Sequence, residues 1–219
     1  MTAAMHELPR AALLASVRVV VGAYARFAIP LSPGTQRLYF ANHTSHVDTL
    51  AILAALPTAL RRSVRPVAAR DYWDAGIGRR YIAQKLLNVV LIDRGRGASV
   101  DPLAPLRAAL QAGDSLILFP EGTRGETAIP GPFKAGLFRL AEDFPDIELV
   151  PAYLANLNRA MPKGRLIPVP LICRVGFGTP LPRIPDEPKE IFLARARDAV
   201  ISLQGNVLNI RSSKRWRQF

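Results

Sequence analysis

The chain has 219 residues, 49% of them hydrophobic, enough to bury a substantial core in one domain and too apolar for a disordered or collagen-like polymer. Lys and Arg outnumber Asp and Glu by 29 to 17, and the net charge of +12 turns the surface towards polyanions: nucleic acid, anionic lipid or an acidic carrier. One cysteine, Cys173, excludes an internal disulfide framework and thiolate-rich zinc sites, the habit of a reducing compartment, and three His leave little material for a structural metal.

The first predicted element is a helix between Pro9 and Pro30, "RAALLASVRVVVGAYARFAI". A central Arg costs roughly 2.5–3.5 kcal/mol on insertion scales, so Arg18 and Arg26 disfavour a simple membrane span. On a helical wheel Leu13, Leu14, Val17, Val20, Val21, Tyr24 and Ala28 form one stripe, with Arg18 and Arg26 projecting away from it. That pattern fits a helix lying in a membrane interface, and it fits equally an amphipathic helix packed on the protein's own core. "AYA" at 23–25 has the look of a signal cleavage site, but Arg18 interrupts the apolar run before it.

Beyond this segment short apolar runs alternate with helical stretches, the order expected of an α/β fold with a mixed, largely parallel sheet flanked by helices. Strands are predicted at Leu38–Ala41, Val64–Ala68, Asn88–Ile92, Ser115–Phe119, Leu149–Leu154 and Leu171–Phe177. Helices are predicted at Ser45–Leu60, Trp73–Leu87, Pro102–Ala112, Ala135–Asp143 and Pro188–Gln204. The Pro-rich stretch Pro162–Pro188 reads as loops and edge strands, since proline removes a donor that a central strand needs. Residues 1–35 are expected to form the membrane-associating segment, 36–205 the main domain and 206–219 a basic, aromatic tail.

"FANHTSHVDTL" at 40–50 falls at a strand-to-helix junction, where the loops of parallel sheets collect functional groups. An imidazole at His43 can take a proton near neutral pH, and Asp48 can bond its other nitrogen and stabilise the imidazolium. The same residues also suit a plain capping box, Ser45 to Asp48, with His43 a turn residue. A metal site built from His43, His46 and Asp48 is the weaker reading, because no helical face gathers all three.

"LILFPEGTRG" at 116–125 runs a strand into Glu121, Gly122, Thr123, Arg124 and Gly125. Two glycines let backbone approach a ligand, and the planar fork of Arg124 suits phosphate, although a solvated strand-ending turn has the same composition. "LIDRGRG" at 91–97 and "PFKAG" at 132–136 add Arg94 and Lys134.

Taken together, "NHTSHVD", "IDR", "FPEGTRG", "FKAG" and "LVPAYL" stand in the order and at about the spacing of the glycerolipid acyltransferase family, and the resemblance covers roughly residues 36–180. It implies that His43 is the general base on an acceptor hydroxyl and that Asp48 orients and charges it. It implies a phosphate site at Arg124 with help from Arg94, and acceptor positioning by Glu121 and Gly122, with Thr123 in the same motif. The family's further Lys is replaced here in "VAARDYWD", where Arg70 is the nearest basic residue and its planar head would sit differently. Lys134 is a candidate for acceptor or thioester.

The resemblance further implies transfer of a fatty acyl group to the sn-2 hydroxyl of lysophosphatidic acid, with glycerol-3-phosphate, another lysophospholipid or a lyso-aminolipid as alternative acceptors. The acyl thioester of coenzyme A or acyl carrier protein is the co-substrate, and no metal or bound cofactor is expected. Cys173 and Ser45 are not needed as nucleophiles. The expected location is the cytoplasmic face of a membrane, peripheral or monotopic, with lipid headgroups as partners. The tail "RSSKRWRQF" supports this with Arg211, Lys214, Arg215 and Arg217 beside Trp216 and Phe219. Nucleic acid is not an expected partner, because no recognised nucleic-acid module is present; a non-enzymatic basic membrane binder would leave His43 and Asp48 unexplained.

Overall fold

The structure is a computed structural model that describes residues 7–22, 24–73, 76–93, 101–157 and 173–208. Arg94, the tail 211–219 and part of the Pro-rich stretch lie outside the described residues.

The centre of the fold is β2 (Arg37–Ala41), buried along its whole length. Its side chains alternate between two cores, as a strand's period of two requires: Tyr39 and Ala41 enter one cluster, Leu38 and Phe40 the other. β6 (Glu148–Ala155) lies parallel to β2 on one side and does the same, with Val150, Ala152 and Leu154 on the first face and Leu149, Tyr153 and Ala155 on the second. On the other side β2 pairs in parallel with β5 (Ser115–Leu118), then β3 (Val64–Ala69) and β4 (Val90–Ile92) follow. β7 (Arg174–Phe177) runs antiparallel to β6, and β1 (Tyr24–Phe27) closes that edge parallel to β7. The order is β1-β7-β6-β2-β5-β3-β4, the mixed, largely parallel sheet expected from the alternating pattern.

Helices cover both faces. α1 (Glu7–Val21) and α2 (Asp48–Ala55) lie on the first, where Leu14 and the run Ala51–Leu56 are buried. α6 (Ala104–Gln111), α7 (Gly136–Asp143) and α8 (Lys189–Leu208) lie on the second, through Leu106, Leu110, Leu137, Leu140, Phe192, Ala196 and Val200. Short helices α3 (Thr58–Arg61), α4 (Arg70–Trp73) and α5 (Ile77–Tyr81) fill the connections.

Three predicted helices are corrected. The helix proposed for Pro9–Pro30 stops at Val21, because Gly22 adopts φ 60°, the left-handed conformation that ends helices, and Tyr24–Phe27 leaves it as β1. Its apolar stripe is therefore divided: Leu13, Leu14 and Val17 pack on the core, whereas Tyr24 sits on the strand and is exposed. The helix proposed for Ser45–Leu60 begins only at Asp48 and breaks at Leu56, which is extended ahead of Pro57, as the residue before a proline prefers. The stretch Trp73–Leu87 divides into α4, α5 and a single wide turn of π type over Ile82–Leu86, and Asn88 at φ 51° turns the chain into β4. Among the described residues no helix is long and apolar enough to cross a membrane.

Candidate active site

The C-terminal ends of β2, β3, β4 and β5 open onto one cleft of about 140 Å³, the edge of a parallel sheet where βα loops converge. His43 and His46 enter it from the loop after β2, Ala69 and Ile92 from the ends of β3 and β4, and Phe119, Gly122 and Arg124 from the loop after β5. The two sequence clusters, 78 residues apart at His43 and Glu121, are thereby brought together.

His43 Nδ1 lies 2.9 Å from Asp48 Oδ2. The same oxygen accepts the backbone N–H of Thr44 at 2.6 Å and of Ser45 at 2.8 Å. The pairing with His43 and the loop-holding role are therefore served by one atom, and half of the expected capping box is present, the Asp48 carboxylate accepting the Ser45 N–H, although the helix itself starts later, with Val47 at its N-cap and no side-chain cap bond there. The Asp48 side chain is 0% exposed and its Oδ1 has no partner among the described residues, whereas the imidazole is 19% exposed towards the cleft. A buried carboxylate on Nδ1 fixes the tautomer and leaves Nε2 as the nitrogen able to take a proton. One face of the ring stacks on Phe119, centroids 4.2 Å apart and planes 18° from parallel, which removes rotational freedom from the imidazole.

Glu121 is buried beneath this loop. Its Oε1 accepts the N–H of His43 at 2.8 Å and its Oε2 that of Gly131 at 2.8 Å, and the N–H of Gly125 donates to the His43 carbonyl at 2.8 Å. The carboxylate thus pins the His43 backbone to the loop after β5 from within. Gly122 takes φ 69°, and a Cβ there would stand 2.6 Å from Lys134 Nζ, so the lysine lies directly over the glycine. Thr123 is exposed on the same turn. Arg124 reaches the cleft and donates from Nη1 to His46 Nε2.

Arg70 is not gathered with these groups. It pairs with Asp93 at 2.9 Å on the surface and lines a separate depression with Arg65 and Asn88. Three residues that the sequence left without a role belong to the site. Asn42, fully buried, uses its amide to bond both the N–H of Leu154 at 2.8 Å and its carbonyl at 3.2 Å, anchoring the His43 loop to β6. Its place immediately before His43 was the available signal. Phe119 and His46 had no such signal, since their roles depend on contacts across the cleft.

Cys173 is buried beside β7, and burial together with the nearby Asp48 charge pushes its thiol up to about 11. A thiol so held is a poor nucleophile at neutral pH. Among the described residues no group of three or more His, Cys, Asp or Glu side chains is placed to hold a metal ion.

The cleft at this parallel-sheet edge thus gathers a His–carboxylate pair and an arginine. The Acyltransferase family model matches residues 28–155, and the chain belongs to that family, the glycerolipid acyltransferases. It is 30% identical over 149 residues to 1-acyl-sn-glycerol-3-phosphate acyltransferase of Cocos nucifera, an overlap of 67% of this chain and 46% of that protein. It is 32% identical over 127 residues to 1-acyl-sn-glycerol-3-phosphate acyltransferase alpha of Homo sapiens, covering 57% and 42% respectively. The chain thus spans less than half the length of these curated relatives. Its fold is that of the crystal structure of the 1-acyl-sn-glycerophosphate (LPA) acyltransferase PlsC from Thermotoga maritima, with a TM-score of 0.67 over 93% of this chain and 83% of that one at 18% identity.

Proposed function

We propose that this protein transfers a fatty acyl group from a thioester to the sn-2 hydroxyl of lysophosphatidic acid, giving phosphatidic acid. The observation that carries the reading is the placing of His43, backed by buried Asp48, in one cleft with Arg124. His43 Nε2 takes the proton of the acceptor hydroxyl as that oxygen attacks the thioester carbonyl. The tetrahedral oxyanion collapses, the C–S bond breaks, and the thiolate of coenzyme A or acyl carrier protein leaves with the proton returned by the imidazolium. Asp48 stabilises the transient charge on His43, and Arg124 holds the acceptor's phosphate through its two parallel donors. Direct transfer needs no acyl-enzyme, which suits a buried Cys173 with a raised pKa.

The family resemblance gives Arg94 a share of the phosphate and Lys134 a place near acceptor or thioester; the position of Lys134 above Gly122 supports the latter. Peripheral attachment at the cytoplasmic face of a membrane fits exposed Leu8 and Val19 on α1 and the net charge of +12.

The test is acyl transfer by the full chain to a panel of acceptors, lysophosphatidic acid, glycerol-3-phosphate, a lysophosphodiester and a lyso-aminolipid, with both thioester donors. Lysophosphatidic acid is expected to be the preferred acceptor, and His43→Ala to lose about 10²–10⁴-fold in kcat/KM while retaining vesicle binding. Wild-type rates in His43→Ala, or undiminished transfer by Arg124→Ala to lysophosphatidic acid, would sink the assignment.

A further inference from the structure

His46 lies in the same cleft as His43 and is unused by the chemistry above. Its Nε2 accepts from Arg124 Nη1. A guanidinium has only donors, so the contact requires a lone pair on Nε2 and therefore a neutral imidazole with its proton on Nδ1. His46 is exposed and stands beside the permanent charge of Arg124. A second cation placed there would be repelled by Arg124 unless an anion came between them.

None of the residues that line the cleft carries a carboxylate, while the loop after β5 holds Glu121 buried and Glu126 exposed. His43 and Asp48 face it from the β2–α2 loop, with Asp48 wholly buried and occupied by His43, Thr44 and Ser45. β3, β4 and α4 contribute Val67, Ala68, Ala69, Ile92 and Trp73, and α2 contributes Thr49, none of them titratable. The loop after β5 contributes Arg124, while Lys134 stands over the Gly122 backbone of that loop.

We infer that His46 is a proton-linked, specificity-determining phosphate ligand: neutral, it positions Arg124 in the empty site, and protonated, it joins Arg124 on a phosphomonoester dianion. The inference rests on the phosphate-bearing acceptor proposed above and deepens it. A phosphomonoester loses its second proton at a pKa of about 6 and carries nearly two charges at neutral pH, whereas a phosphodiester carries one. Two adjacent cations therefore favour the monoester. Arrival of the dianion breaks the Arg124–His46 bond, the guanidinium turns both donors to phosphate, and His46 binds one proton from solvent and donates Nε2–H to a phosphate oxygen. The charge of the bound cluster is thereby balanced.

The experiment is calorimetric binding of a short-chain lysophosphatidic acid without thioester donor, in buffers of different ionisation enthalpy, so that protons taken up are counted. Wild type at pH 8 should take up close to one proton per ligand. His46→Gln, which can still accept from Arg124 but cannot become a cation, should abolish the uptake and weaken binding about tenfold at pH 6.5, the size of one charge-assisted hydrogen bond. It should change binding of a short-chain lysophosphatidylglycerol, a phosphodiester, less than threefold. His43→Ala should keep the uptake, separating the two imidazoles. Unchanged uptake in His46→Gln, or equal weakening for monoester and diester, overturns the role of His46 while leaving acyl transfer to lysophosphatidic acid standing. Failure of wild type to bind or acylate lysophosphatidic acid overturns the acceptor assignment and this inference with it.

Discussion

Asp48 Oδ2 receives three donors, His43 Nδ1 and the amides of Thr44 and Ser45, so a single oxygen bears on both the tautomer and the position of the proposed base. Asp48→Asn can preserve one carbonyl oxygen for these donors but removes the charge that stabilises an imidazolium. Its expected outcome is a fall in turnover of about 10³-fold, against a stability loss of about 1–3 kcal/mol by urea unfolding. Losses confined to stability would mark Asp48 as a loop anchor alone. Glu121 supplies the complementary case, since its two oxygens hold the amides of His43 and Gly131. Glu121→Gln keeps one acceptor and turns an NH2 on the other amide, so it should destabilise, and Glu121→Ala should destabilise further, each lost charged bond costing about 1.5–3 kcal/mol. Both should reduce kcat through a displaced imidazole, and a crystal structure of the Gln variant should show the His43 ring shifted off Phe119. An unmoved ring with a wild-type kcat would remove Glu121 from the positioning of the base.

At the scale of elements, α1 divides its apolar residues between two tasks. Leu14 is 2% exposed and packs in the core with α2, while Leu8 and Val19 are 82% and 83% exposed. Leu14→Ala should therefore cost about 2–4 kcal/mol, the usual price of a buried leucine's removal. Leu8→Asp with Val19→Asp should change stability by less than about 1 kcal/mol, as surface substitutions do, yet weaken binding to anionic vesicles by an order of magnitude. Co-sedimentation that does not respond to the Asp pair would show that this face is not the docking surface. The break between α2 and α3 and the end of α1 also explain which element boundaries could be read beforehand. Pro57 and Gly22 are visible local stop signals, but the strand β1 after Gly22 exists because Tyr24–Phe27 finds β7, about 150 residues further along the chain. A partner so distant leaves no trace in local periodicity.

Over the whole molecule, buried acids weaken stability in alkali: burial raises Tyr153, and Cys173 and Tyr39 are raised furthest. Burial raises the Cys173 thiol from an ordinary 9.0 to about 11 and, acting against the nearby Arg37, raises the Tyr39 hydroxyl from 10.0 to about 12. Unfolded, each releases its proton earlier than in the native state, so the stabilisation from keeping them neutral is complete below about pH 9 and is lost as pH rises through 11 to 12. The slope approaches about 1.4 kcal/mol per pH unit for each group while it lies between its two values. Urea midpoints measured from pH 8 upward should fall in this window, and Cys173→Ala should make the decline between 9 and 11 shallower while leaving that above 10 from the buried tyrosines. An unaltered profile in the Ala variant would show that the thiol takes no part.

The amino-acid sequence by itself determined the α/β class, most strand positions and the candidate residues His43, Asp48, Glu121 and Arg124, because strand alternation and short motifs are local and survive being read one window at a time. The tertiary structure decided what those residues touch. Asp48 serves the loop as well as His43, Glu121 turns inward to two amides, Arg70 pairs with Asp93 away from the cleft, and His46 meets Arg124 from 78 positions away. Such pairings follow from the parallel sheet, which brings the ends of β2 and β5 side by side whatever lies between them in the chain. Distance along the polymer carries no information about which side chains will share one oxygen or one proton.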